Sequence, residues 1–99
     1  MSGKKNIEET GNVTKEVTVT NKLGIHARPA SMFVKIATQY KCDILVEKDG
    51  ETVNGKSIMG LMMLAAGPGT RLRVQACGDD AQNAVTELES LVERRFGEE

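Results

Sequence analysis

In the run Thr70–Ala76, apolar Leu72, Val74 and Ala76 alternate with Arg71, Arg73 and Gln75, so the strand it predicts has one dry face and one wet face. A sheet of such strands is covered on one side only. From Val13 onward the pattern recurs, with Lys15, Val17 and Val19 on one face and Glu16, Thr18 and Thr20 on the other, ahead of a turn from Asn21 to Gly24. The stretch CDILVEKDGETVN holds a β-rich run, an Asp49-Gly50 turn suited to a tight hairpin and a second short run, which predicts an antiparallel pair.

Between these strands the period changes to that of a helix. Ala30, Phe33, Val34 and Ala37 recur at i, i+3, i+4 and i+7, so a helix is predicted from about Ala27, with Pro29 tolerable only in its first turn. A short helix is expected from about Ile58 to Ala66, ended by a left-handed Gly67 with Pro68 behind it. Asp79 or Asp80 is expected to cap a third helix, whose Ala81, Ala84, Val85, Leu88, Leu91 and Val92 carry an apolar stripe to about Phe96. The order β-α-β-β-α-β-α, with wet strand faces, implies an α/β (α+β) open-faced sandwich: a four-stranded antiparallel sheet with three helices on one face. Residues 1–12 carry one large apolar residue, Ile7, among polar and charged ones, and read as a flexible N-terminal leader before a single domain over 13–97.

Thirteen basic against fourteen acidic residues leave a net charge of -1 and no global field toward nucleic acid or anionic lipid. Three aromatics among 99 residues also argue against base-stacking platforms. Cys42 and Cys77 lack metal-site spacing and read as reduced, buried thiols. With neither a signal-like apolar segment nor a membrane-length one, the chain is expected to be cytoplasmic and not inserted in a membrane.

The most informative segment is Gly24-Ile25-His26-Ala27-Arg28-Pro29-Ala30-Ser31, because it sets the only histidine at a helix N-terminus. The first N–H groups there have no partner within the helix and the dipole carries about half a positive charge, so an anion on the imidazole would be held. The same field favours a neutral ring with a nitrogen free to act as nucleophile. Arg28 can fold back as a permanent cation with a forked donor set that fits phosphate. Gly24 serves the turn and Ile25 anchors it from below. In an arbitrary protein a lone histidine more often caps or satisfies its own helix; the neighbours favour the reactive reading.

GIHARPAS resembles the active-site motif of HPr, the histidine-containing phosphocarrier family of the bacterial phosphoenolpyruvate-dependent sugar phosphotransferase system. Asn54-Gly55-Lys56-Ser57-Ile58-Met59-Gly60 resembles the regulatory-serine motif of that family, at the same spacing from His26. The resemblance runs from about Val13 to Phe96. It implies that enzyme I phosphorylates His26 on Nδ1, with Arg28 as the phosphate's partner and Gly24, Ala27 and Pro29 supporting the helix start. The phosphoryl group would then pass to a histidine on an enzyme IIA domain of a sugar permease. It further implies that a serine kinase acts on Ser57, with a matching phosphorylase and a transcription regulator as further partners. Such a carrier would be a monomer without metal or organic cofactor, and no stand-alone catalyst. A mainly regulatory carrier of a nitrogen-related or signalling phosphorelay is the alternative, and a non-catalytic interaction module is the rival from another class.

Ser57 has a physical case of its own, since a phosphate there would meet the start of the second helix; a plain N-cap serine is the other reading. That helix holds more apolar groups than it can bury, Leu61 and Leu64 or Ala65 filling its inward stripe. Ile58, Met59 and Met62 are therefore expected at the surface with Ser31, Met32 and the steering charge of Lys35, as a docking patch. Met63 could face either way. Gly50–Ser57 matches the P-loop pattern GxxxxGK[ST], but the hairpin turn, the strand within it and the short helix after it exclude a nucleotide cradle.

Overall fold

The computed structural model describes residues 11–98. Strands β1 (Asn12–Thr18), β2 (Asp43–Lys48), β3 (Glu51–Asn54) and β4 (Arg71–Cys77) form one antiparallel sheet in the order β1-β4-β2-β3. Helices α1 (Ala27–Ala37), α2 (Ile58–Met63) and α3 (Ala81–Glu93) cover one face of it, giving the open-faced sandwich that the alternating strands require. Val17, Ile44, Val46, Leu72, Val74 and Ala76 line the dry side, with Phe33, Leu61 and Leu88 descending from the helices. On the wet side Arg73 spans three strands, 3.8 Å from Glu16 and 3.4 Å from Glu47. Such exposed pairs contribute at most about 1 kcal/mol.

The hairpin follows its residues: Asp49 (φ 51°) and Gly50 (φ 85°) both take the left-handed conformation of a two-residue reverse turn. Gly55 continues the β-structure, its N–H donating to the Ile44 carbonyl at 2.7 Å, where an added Cβ would lie 2.5 Å from the Ile44 side chain. The middle of the P-loop-like stretch, Glu51–Asn54, is thus strand.

Four local expectations are corrected. Helix α2 ends at Met63, and the left-handed residue behind it is Ala65 (φ 53°), not Gly67. Lys48 Nζ fixes that early end by donating to the Leu64 carbonyl at 2.9 Å, a cation at a helix C-terminus. Helix α3 stops at Glu93, short of Phe96, because a 3₁₀ turn over Arg95–Gly97 takes the chain out of line. Asp80 precedes α3 but does not cap it. Its carboxylate instead accepts from the N–H groups of Lys41 (2.8 Å) and Cys42 (3.0 Å), which hold it below the usual carboxylate range. Finally, Cys42 is buried as expected but Cys77 is exposed at the end of β4. Burial first, then Asp80, pushes the Cys42 thiol up to about 11.

Strand β1 begins at Asn12, one residue ahead of expectation, and the Gly11 carbonyl accepts from Gly78 N–H. The rest of the expected leader, residues 1–10, lies outside the described residues. No helix among the described residues is long and apolar enough to cross a membrane.

Candidate functional site

The turn that delivers His26 is built on backbone contacts. Gly24 N–H donates to the Asn21 carbonyl (3.2 Å) and Ile25 N–H to the Ala66 carbonyl (2.9 Å), so the connection after α2 buttresses the turn. Gly24 sits at φ 71°, and a Cβ there would lie 2.3 Å from the Ala66 oxygen, which leaves glycine as the residue that fits. Ile25 is buried beneath the turn. His26 is then the extended N-cap of α1 (φ −87°, ψ −166°), its carbonyl accepting from Ala30 N–H at 3.0 Å. Ala27 and Arg28 open the helix, and Pro29 fills the third position, where no N–H is needed.

No side chain caps α1, and the His26 ring does not turn toward its own helix. Its Nε2 lies 3.0 Å from Oε2 of Glu98, a residue reached from far along the chain. Glu98 also accepts from Arg28 Nη2 (3.3 Å) and, through Oε1, from Asn21 Nδ2 (3.1 Å). The Asn21 amide first, then the His26 ring and the charge of Arg28, hold the Glu98 carboxyl below the usual carboxylate range, against partial burial that pushes it up.

Asn21 is buried, and its Nδ2 also donates to the Gly24 carbonyl at 2.7 Å. Two acceptors on one side dictate how the amide points. As a result its Oδ1 has no partner among the described residues, an arrangement that costs about 1–3 kcal/mol for a buried acceptor.

Glu98 returns to the site through a backbone reversal. Arg95, Phe96 and Gly97 take φ values of 57°, 54° and 75°, three successive left-handed residues, while the Phe96 side chain is fully buried and anchors the bend. Two non-glycine residues in that region store strain that surrounding contacts must hold. Arg28 supplies one such contact, Nη2 donating to the Phe96 carbonyl at 3.1 Å, with Nη1 3.2 Å from Met32 Sδ. The guanidinium expected to fold back over His26 is thus engaged with the segment after α3.

Sequence patterns missed Asn21 and Glu98. The one available signal was Gly97, a glycine directly behind an apolar stripe, which marks a chain reversal.

Ser57 is the N-cap of α2, its Oγ accepting from Gly60 N–H at 3.0 Å. Beside it Met59 and Met63 are 72% and 68% exposed, Ile58 and Met62 about two-fifths, and the four line an open apolar recess. Met63 thus belongs to the surface. Leu61 and Leu64 are the inward pair, while Ala65 is exposed. On α1, Ser31 and Lys35 are exposed and Met32 is half-buried. Since α1 packs against α2, the recess and the His26 helix belong to neighbouring elements. Among the described residues no group of three or more His, Cys, Asp or Glu could hold a metal ion.

A family model described as the PTS HPr component phosphorylation site matches residues 13–94. The phosphocarrier protein HPr of Pseudomonas aeruginosa is 46% identical over 84 residues, which cover 84% of this chain and 93% of that one. Among solved structures, an HPr from Thermoanaerobacter tengcongensis superposes with a TM-score of 0.85 at 44% identity, over 88% of this chain and 98% of that one. The Bacillus subtilis protein Crh, solved as a domain-swapped dimer, superposes at 0.69 with 44% identity, over 84% and 95% of the two chains.

Proposed function

Since this chain belongs to the HPr family, the phosphocarriers of the phosphotransferase system, we propose that it accepts a phosphoryl group from enzyme I on Nδ1 of His26 and transfers it to an enzyme IIA domain of a sugar permease. One observation carries the reading: the only histidine of the chain stands at the uncapped start of α1 with its Nε2 engaged by Glu98, which leaves Nδ1 as the ring atom for chemistry. Phosphate bound there would meet the partial positive charge of the helix start. Arg28 is close enough to exchange Glu98 for phosphate oxygens, a trade of one anionic partner for another.

Docking uses Ile58, Met59 and Met62 with Ser31, Met32 and Lys35, and Ser57 at its rim is the regulatory position, modified by a serine kinase. A phosphate on Ser57 would add about -1.5 to -2 charges beside an apolar contact surface and weaken docking. The carrier works in the cytoplasm as a monomer. Incubation with phosphoenolpyruvate and enzyme I tests the central step: label on wild-type protein that is stable in base, lost in acid and absent from His26→Ala supports it. No label on folded wild-type protein overturns it.

A further inference from the structure

We infer that Glu98 is a positioning residue of the acceptor site: held by the Asn21 amide, its carboxylate keeps the proton of the neutral His26 ring on Nε2 and so reserves the Nδ1 lone pair for phosphorus. The inference rests on the reading of His26 as phosphoryl acceptor and adds the group that decides which ring nitrogen reacts. A neutral imidazole carries one proton, and its place is set by the hydrogen bond that the other partner demands. Glu98, held ionised by Asn21, His26 and Arg28, can only accept. Across the 3.0 Å contact Nε2 must therefore donate, and Nδ1 bears the lone pair.

The transfer step then needs no proton to leave His26. Nδ1 forms a bond to phosphorus as the bond from phosphorus to the donor atom of enzyme I breaks, and that bond's electron pair returns to the donor. The ring gains positive charge, which faces the Glu98 carboxylate. A carboxylate behind a histidine that orients the ring and balances charge formed on it is a general device of nucleophilic sites.

The supporting geometry is specific to this end of the chain. Oε1 of Glu98 goes to Asn21 Nδ2 and Oε2 to His26 and Arg28, so both oxygens are assigned. The left-handed run Arg95–Gly97, pinned by buried Phe96, brings the carboxylate there.

Because the chain has one histidine, a two-bond proton–nitrogen correlation spectrum of the labelled protein reads its tautomer without ambiguity. Wild-type protein should show the Nε2-protonated form. Glu98→Gln should show a mixture, since a neutral amide offers both donor and acceptor, and should take label from enzyme I about tenfold more slowly or worse, with a single cooperative melt well above the assay temperature as the control for folding. An unchanged tautomer or an unchanged rate in that variant overturns the inference. If wild-type protein takes no label, the proposed function falls, while the tautomer spectrum, which needs no enzyme I, still decides whether Glu98 fixes the ring.

Discussion

Helix α1 begins at His26 with no side chain closing its first turn, whereas α2 begins at Ser57 with Oγ accepting the Gly60 N–H at 3.0 Å. Both residues stand at the same structural position, and their side chains go in opposite directions. Ser57 serves its own helix. His26 reaches across the fold to Glu98, 72 residues on, and leaves the donors of its helix start free of side-chain partners. A start that satisfies itself tolerates an added charge without needing one, whereas a start left open, with a cation two residues away, offers its donors to an anion. The same element thus gives an open start in one place and a closed cap in the other.

The largest effect that would sharpen this contrast is His26→Ala. It should abolish phosphoryl acceptance while the fold survives, because the ring is partly exposed and touches no core residue through a hydrogen bond; label on the folded variant would break the comparison at α1. Arg28→Ala should still accept but more slowly, by roughly ten- to a hundredfold, less than a fully enclosed cation would supply, since the side chain is half exposed. Stopped-flow transfer at the wild-type rate would remove Arg28 from the site.

At α2 the effects should be smaller and of another kind. Ser57→Asp should keep the melting temperature while raising the apparent KM for enzyme I, because the carboxylate can accept from Gly60 N–H yet charges the rim of the apolar recess. Ser57→Ala should cost about 1 kcal/mol through the lost cap, a fall of roughly 4–8 °C in a domain of this size, with phosphorylation of His26 unchanged. An unchanged melting temperature would mean that the Oγ bond contributes nothing.

The smallest expected effect is in acid. The Glu98 carboxyl lies below its ordinary value of 4.5 in the folded chain, so the stability it contributes is complete above that value and is lost as pH falls through the lowered folded one. Melting of wild type and Glu98→Gln side by side should show a difference at neutral pH that closes in acid. A difference persisting under strong acid would assign it to packing instead.

How much of this was legible follows from how far each signal reaches along the chain. Alternation in β1 and β4, the Asp49-Gly50 turn and the stripes of α1 and α3 are local, and each element appears where its residues put it. The places of His26, Arg28 and Ser57 at helix starts were legible because a helix start is itself a local feature. Asn21 and Glu98 were not, since their roles exist only once the left-handed run at Arg95–Gly97 folds a distant segment back. Asp80 and Ala65 show the same limit on a smaller scale: Asp80 was diverted by Lys41 and Cys42, and Lys48 fixed an end that the glycine pattern had placed three residues later.

The sheet order carries a consequence for the history of each new chain. Strand β1 pairs only with β4, more than fifty residues further on, and the turn before His26 hangs from the Ala66 carbonyl, with Val19 tied to Gly69 and Thr70. A ribosome making this protein would release His26 long before Ala66 and Glu98, the distant residues that hold its turn and its ring. Of the strand pairs, only the β2–β3 hairpin can form early from neighbouring sequence, and the remaining ladder waits on loop closures that slow folding. The acceptor site should therefore mature late and all at once, so that a nascent or truncated chain displays the motif without the competence.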